Sequence, residues 1–136
     1  LGRLAVSELR ASGFFEGIEL IVPVPLSKKK LRQRGYNQCD YIARGISEVT
    51  GVAICTDCME RIVDIETQTH KGQAERWKNT EGIFEVTNST DLKGKHVLIV
   101  DDVATTGATI HACISALLTV PNVRISVFTL CITTHT

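Results

Sequence analysis

The sequence predicts an α/β fold with a central, mainly parallel sheet flanked by helices, and three observations carry that reading. Val97-Leu98-Ile99-Val100 is an unbroken aliphatic run leading straight into Asp101-Asp102. Such a run is a strand buried on both faces, as in the middle of a parallel sheet. Apolar residues at helical spacing precede it from Tyr36 to Val49 and follow it from Thr109 to Val120, so helical and strand patterns share one chain. The polar residues after Val100 then fall at a strand's carboxyl end, where open α/β sheets bind ligands.

Composition bounds the answer. A chain of 136 residues, 43% hydrophobic and 22% charged, is one domain with enough apolar material for a real core. Its formal net charge of zero excludes a global basic field of the kind that drives non-specific nucleic-acid binding. No apolar run approaches the roughly 18 residues of a membrane helix, and nothing resembles a signal peptide, so no membrane association is expected. The five cysteines (Cys39, Cys55, Cys58, Cys113, Cys131) are odd in number and mostly embedded in apolar or helical patterns. They read as reduced thiols of a cytoplasmic protein. The chain begins at Leu1 without a methionine and is expected to be a fragment.

In order, Leu1, Leu4, Ala5 and Leu9 have helical spacing up to a stop at Gly13. Ile18 to Val24 is a buried strand, closed by Pro23 and Pro25. Lys28, Lys29, Lys30, Arg32 and Arg34 then crowd cations just beyond that strand's carboxyl end. The run reads either as a solvated basic turn or as a polyphosphate subsite, since arginine forks and lysine charges are the usual phosphate partners. Tyr36 to Val49 is an amphipathic helix with Gly51 as its stop. Val52 to Ile65 reads as one or two strands. Cys55 and Cys58 have CxxC spacing, but no second ligand pair accompanies them and no helix opens there, so neither a metal nor a redox role is expected. Glu66 to Asn79 is a polar insertion between strand-like segments, the second being Gly82 to Thr87; it reads either as a lid or as a mobile loop, and His70, Lys71, Arg76 and Lys78 would suit a lid over an anionic ligand. Trp77 reads as a packing anchor. A turn-rich connector from Asn88 to Lys95 leads into the central strand, and Val123 to Cys131 is a last strand.

The chemistry concentrates in Asp101 to Thr109. Gly107 lets the backbone approach a ligand or take a positive φ. Free amides at a helix start, with threonine hydroxyls around them, form a pocket for a phosphate dianion. Asp101 and Asp102 can accept hydrogen bonds from sugar hydroxyls or hold waters around Mg²⁺. The loop therefore suits a sugar phosphate. Neither GxxxxGK[ST] nor GxGxxG is present, so a P-loop or Rossmann reading lacks its motif.

Val97 to Thr109 as a whole resembles the phosphoribosyl-diphosphate signature of type I phosphoribosyltransferases. Ile21 to Leu26, Arg32 to Gln38, Gln68-Thr69, Glu75-Arg76 with Asn79, and Gly82 to Phe84 extend the resemblance to the ComF-type, amidophosphoribosyltransferase-like branch associated with bacterial competence. ComF-like proteins usually carry an N-terminal zinc-binding segment that is absent here, in keeping with a fragment. The resemblance implies a phosphoribosyltransferase domain over residues 1–136, with an antiparallel flexible-loop hairpin beside the parallel sheet. It implies Asp101 and Asp102 on the ribose hydroxyls, and through water or ribose on Mg²⁺. It places Ala104, Thr105, Thr106, Gly107, Ala108 and Thr109 on the 5′-phosphate. Leu26, Ser27, Lys28 and Lys29 become the pyrophosphate loop. Glu66 to Asn79 becomes the loop that closes over the diphosphate, with Lys71 and Arg76 as the catalytic cations.

The implied reaction is displacement of Mg-bound pyrophosphate at C1 by a nitrogen nucleophile, with catalysis from positioning, charge neutralisation and exclusion of water. Thr105 stands where purine-salvage members commonly carry an aspartate base, which argues against a 6-oxopurine acceptor. The partners implied are phosphoribosyl diphosphate and an unidentified nitrogenous acceptor, with a homodimer as the usual assembly of this fold. The alternative is a binding or regulatory module in DNA uptake without turnover, with single-stranded DNA as its partner. A third reading is a sugar-phosphate sensor.

Overall fold

A computed structural model describes residues 13, 15–62, 82–104 and 107–132. The amino-terminal helical pattern before Gly13, the lid from Glu66 to Asn79 with Lys71, Arg76 and Trp77, and Thr105 and Thr106 lie outside the described residues.

Five strands and four helices are described: β1 (Leu20–Pro23), α1 (Lys28–Arg34), α2 (Gln38–Thr50), β2 (Met59–Arg61), β3 (Phe84–Val86), α3 (Ser89–Leu92), β4 (His96–Ala104), α4 (Ala108–Leu117) and β5 (Arg124–Ile132). β1, β4 and β5 form a parallel sheet with β4 in the middle. β2 and β3 form a separate antiparallel hairpin, in register Met59 to Val86 and Arg61 to Phe84. The expected architecture is therefore present. Beyond β1, the backbone of Ile21 exchanges hydrogen bonds with Ala53 and Cys55, and Ile54 pairs with it in parallel.

The aliphatic run is central because its pleat serves two cores. Val97 and Ile99 pack with Val22, Ala112, Cys113, Leu117, Ile83 and Phe84 on one face. Leu98 and Val100 pack with Ile21, Ala43, Ile46, Phe15 and Phe128 on the other. Side chains alternate across a strand, so one run feeds both layers. α4 and the hairpin cover the first face and α2 the second. Each fully buried Leu or Ile of this strand contributes about 1.5–3 kcal/mol of transfer free energy.

Two sequence expectations are corrected. The basic stretch after Pro25 is not a turn: it is the helix α1, started by Ser27, whose hydroxyl accepts the Lys30 N–H at 3.2 Å, and ended by Gly35 in the left-handed region. Cations in a helix's last turn favour the carbonyl end of its dipole, and Arg32 and Arg34 stand there. Cys55 and Cys58 are not reduced thiols: they form a disulfide across a bend, with Cα atoms 5.8 Å apart. The bend, which residue spacing does not reveal, brings the two sulfurs together. Cys39 and Cys113 are free and buried. The connector after β3 holds the single helical turn α3, capped by Asn88. Among the described residues no helix is long and apolar enough to cross a membrane.

Candidate functional site

The carboxyl ends of β1 and β4 open together because the strands are parallel and in register, Pro23 beside Val100. A cavity of about 190 Å³ lies there. Its wall comprises Val24 and Leu26 after β1, Lys30 and Arg34 from α1, Asn37, Gln38 and Cys39 at the start of α2, Arg61 from β2, Asp101 and Asp102 from β4, and Thr109 from α4.

Asp101 is the buried centre of this wall, with 6% of its surface exposed. One carboxylate oxygen accepts the Asp102 backbone N–H at 2.9 Å and the Cys39 S–H at 3.6 Å. Burial, and next the adjacent Asp102 carboxyl, push the Asp101 carboxyl up to about 6. Burial, and then the charges of Asp101 and Asp102, push the Cys39 thiol up to about 12. Cys39 is therefore a neutral donor to the acid. Asp102 is half-buried, and its backbone carbonyl accepts the Thr129 hydroxyl of β5 at 3.5 Å. β4 continues through both acids to Ala104, so sheet pairing rather than a loop holds them.

Asn37 ties the two sides together. Its amide donates to the Val24 carbonyl at 3.0 Å and its side-chain oxygen caps α2 by accepting the Cys39 N–H at 3.1 Å. The end of β1 thus dictates where α2 starts, and α2 dictates where Cys39 meets Asp101. Across the acids, α4 starts at Gly107, with φ +78° and no side-chain cap. Gly107 has no side chain with which to cap the helix, and the amino-terminal end of a helix favours an anion.

Of the residues singled out from sequence, Leu26, Asp101, Asp102 and Thr109 meet in the cavity wall. Ser27 is buried as the cap of α1, and Gly107 and Ala108 start α4 next to the wall without forming part of it. Lys28 and Lys29 are exposed and off the wall; Lys28 lies 3.5 Å from Glu60 in a surface pair. The cations of the basic run that face the cavity are Lys30 and Arg34, one helical turn apart. Sequence reasoning missed Asn37, Cys39 and Arg61. Asn37 carried a signal, a helix-capping residue type at the start of the helical pattern, which begins at Gln38 and not at Tyr36; Cys39 and Arg61 carried none. The carboxylates of Asp101 and Asp102 place oxygens within 4.8 Å of one another, the hard donors that Mg²⁺ takes, whereas the neutral Cys39 thiol beside them is no ligand for it.

Residues 46–135 match the phosphoribosyl transferase domain family. The chain belongs to this family. Its branch is the ComF-like type I group, for its curated relatives include the DNA utilization protein YhgH of Salmonella typhimurium, 31% identical over 134 residues, covering 96% of this chain and 58% of that protein. The Bacillus subtilis competence protein ComFC is 31% identical over 73% of this chain and 38% of that protein. Competence protein F of Haemophilus influenzae is 31% identical over 79% and 48%. The chain thus spans 58% of the length of the YhgH relatives. Among solved structures, a purine phosphoribosyltransferase from Pyrococcus horikoshii superposes with a TM-score of 0.58 at 19% identity, over 96% of this chain and 71% of that one. An adenine phosphoribosyltransferase does so with 0.61 at 14% identity, over 95% and 66%. These likenesses establish the type I phosphoribosyltransferase fold.

Proposed function

We propose that this domain binds phosphoribosyl diphosphate with Mg²⁺ and transfers its phosphoribosyl group to a nitrogen nucleophile, displacing pyrophosphate. The observation that carries the reading is the pair Asp101–Asp102 between two anion-favouring surfaces, the amino-terminal end of α4 at Gly107 and the Lys30–Arg34 face of α1. In this reading the carboxylates accept the ribose 2′- and 3′-hydroxyls, and the backbone from Ala104 to Thr109 receives the 5′-phosphate. Lys30 and Arg34 neutralise the leaving diphosphate, a task Leu26 to Lys29 share through the backbone and start of α1. Lys71 and Arg76 join them on sequence grounds alone. Bound Mg²⁺, held by Asp101 and Asp102 through water or ribose, would supply further charge neutralisation of the diphosphate.

Holding donor and acceptor in line converts a bimolecular step into a local one, and that positioning is the main task left to the protein. The acceptor is a nitrogenous compound of unassigned identity. A homodimer and a cytoplasmic location belong to the reading. Calorimetry with phosphoribosyl diphosphate, with and without Mg²⁺, tests it. Binding should need Mg²⁺ and weaken at least tenfold in Asp101→Asn and Asp102→Asn; no affinity at millimolar ligand refutes the reading. Pyrophosphate release across a panel of bases then tests turnover.

A second reading is a binding or regulatory module that handles DNA without turnover. It is favoured by the names of the relatives and by the exposed cations of α1 beside the exposed Tyr36 and Tyr41. Salt-titrated single-stranded DNA binding separates the two: binding indifferent to phosphoribosyl diphosphate favours the module, and competition places both ligands on the same face.

A further inference from the structure

We propose that Arg61 is an oxyanion-binding residue of the Asp101–Asp102 cavity, and that it takes a pair of anionic oxygens on a bound ligand. The source of that anion, though not the site itself, rests on the function proposed above.

Arg61 ends the short strand β2, and alternation along that strand separates it from its neighbour. Glu60 reaches Lys28 at 3.5 Å on the surface, whereas Arg61 joins the cavity wall with Asp101, Asp102 and Thr109. Its partner across the hairpin is the buried Phe84. The guanidinium carbon lies 5.3 Å from the centre of the Phe84 ring. Stacking on a ring engages the guanidinium face and leaves its edge, where the N–H groups are, free to donate.

One of those donors has nothing to bond. Arg61 Nε is buried without a hydrogen-bond partner. A charged donor removed from water and left unpaired is costly, and native proteins rarely tolerate it without a use. The ordinary explanation, an arginine neutralising nearby acids, does not hold: among the described residues no carboxylate lies within ion-pair distance of this guanidinium, although two share its cavity. A planar or tetrahedral oxyanion approaching edge-on would satisfy Nε together with a terminal N–H, the bidentate geometry that arginine forms and lysine does not.

Two ligands carry such oxygens. One is an acceptor bearing a carboxylate beside its reactive nitrogen; the other is the leaving diphosphate. Lys30 and Arg34 already face the cavity from α1, and a third cation on the separate hairpin suits a second anion, the acceptor's carboxylate.

Calorimetry on wild type, Arg61→Met and Arg61→Lys decides the matter. The probes are magnesium pyrophosphate, and orotate and uracil as pyrimidines with and without a carboxylate. An acceptor carboxylate predicts that Arg61→Met weakens orotate about tenfold or more and leaves pyrophosphate unchanged; a diphosphate oxygen predicts the converse. In either case uracil is unaffected and Arg61→Lys, which keeps the charge without the fork, recovers little. The lysine variant also serves should the methionine variant fail to fold. The proposal is overturned if wild type binds neither anion, if Arg61→Met binds both as well as wild type, or if orotate and uracil weaken together. Wild-type affinity for phosphoribosyl diphosphate is read separately. Its absence alongside Arg61-dependent anion binding sinks the donor assignment only, and its presence alongside Arg61-independent binding sinks this proposal only.

Discussion

Cys39 Sγ lies 3.6 Å from Asp101 Oδ1, so a neutral thiol from the start of α2 donates to the buried carboxylate at the end of β4. The contact joins residues 62 positions apart and couples the placement of α2 to the ionisable centre of the site. Cys39→Ser keeps a donor and should be nearly neutral. Cys39→Val removes it and should cost about 1–2 kcal/mol in urea unfolding. Equal stability of the two variants would mean that the thiol only fills space.

The same thiol should be chemically silent. Burial raises Cys39 to about 12 and pushes Cys113 higher still, and the thiolate is the reactive form. Alkylation at pH 8 followed by peptide mapping should leave both unlabelled in the native protein and label both after denaturation. Native labelling of Cys39 would contradict its burial.

The pH dependence of stability follows from Asp101. Its folded-state pKa is raised above the unfolded value, so the folded state holds the proton more tightly. Its contribution is fully present below about pH 4 and is lost as pH rises through about 6. Asp101→Asn should therefore stabilise the ligand-free protein at pH 7, by on the order of 1–2 kcal/mol, and much less at pH 4.5. Urea midpoints at the two pH values check this; a pH-independent effect would remove burial of the ionised acid as the cause. The variant that gains stability is the one expected to lose ligand, as at sites where function opposes stability.

Asn37→Ala should be among the most destabilising polar substitutions. It removes the cap of α2 and leaves the Val24 carbonyl unpaired in a buried position, together about 2 kcal/mol. Asn37→Asp keeps the cap but not the donor to Val24, so it should recover part of the loss in the same denaturation assay.

Gly107→Ala tests the start of α4. At φ +78° an alanine Cβ is strained by about 1 kcal/mol, and the backbone that presents the α4 amides must shift. Phosphoribosyl diphosphate binding should weaken by more than the stability loss alone explains. Unaltered binding would take the α4 amides out of the phosphate site.

The sequence by itself determined the α/β class, the buried strand and the acids at its end, because these are local facts. An unbroken aliphatic run reads as buried on both faces, and the polar residues that follow it fall at the carboxyl end of the strand. Gly51 and Gly107 were readable for the same reason, since chain reversal and helix starts are set by neighbouring residues. What only the tertiary structure decided is which cations face the acids. Lys28 and Lys30 are equivalent in the sequence; helical winding sends the first to Glu60 and the second to the cavity. Arg61 and Cys39 reach Asp101's cavity from β2 and α2 through strand pairing and helix packing. Such contacts arise between segments far apart in the chain, and residue type and spacing leave no trace of them.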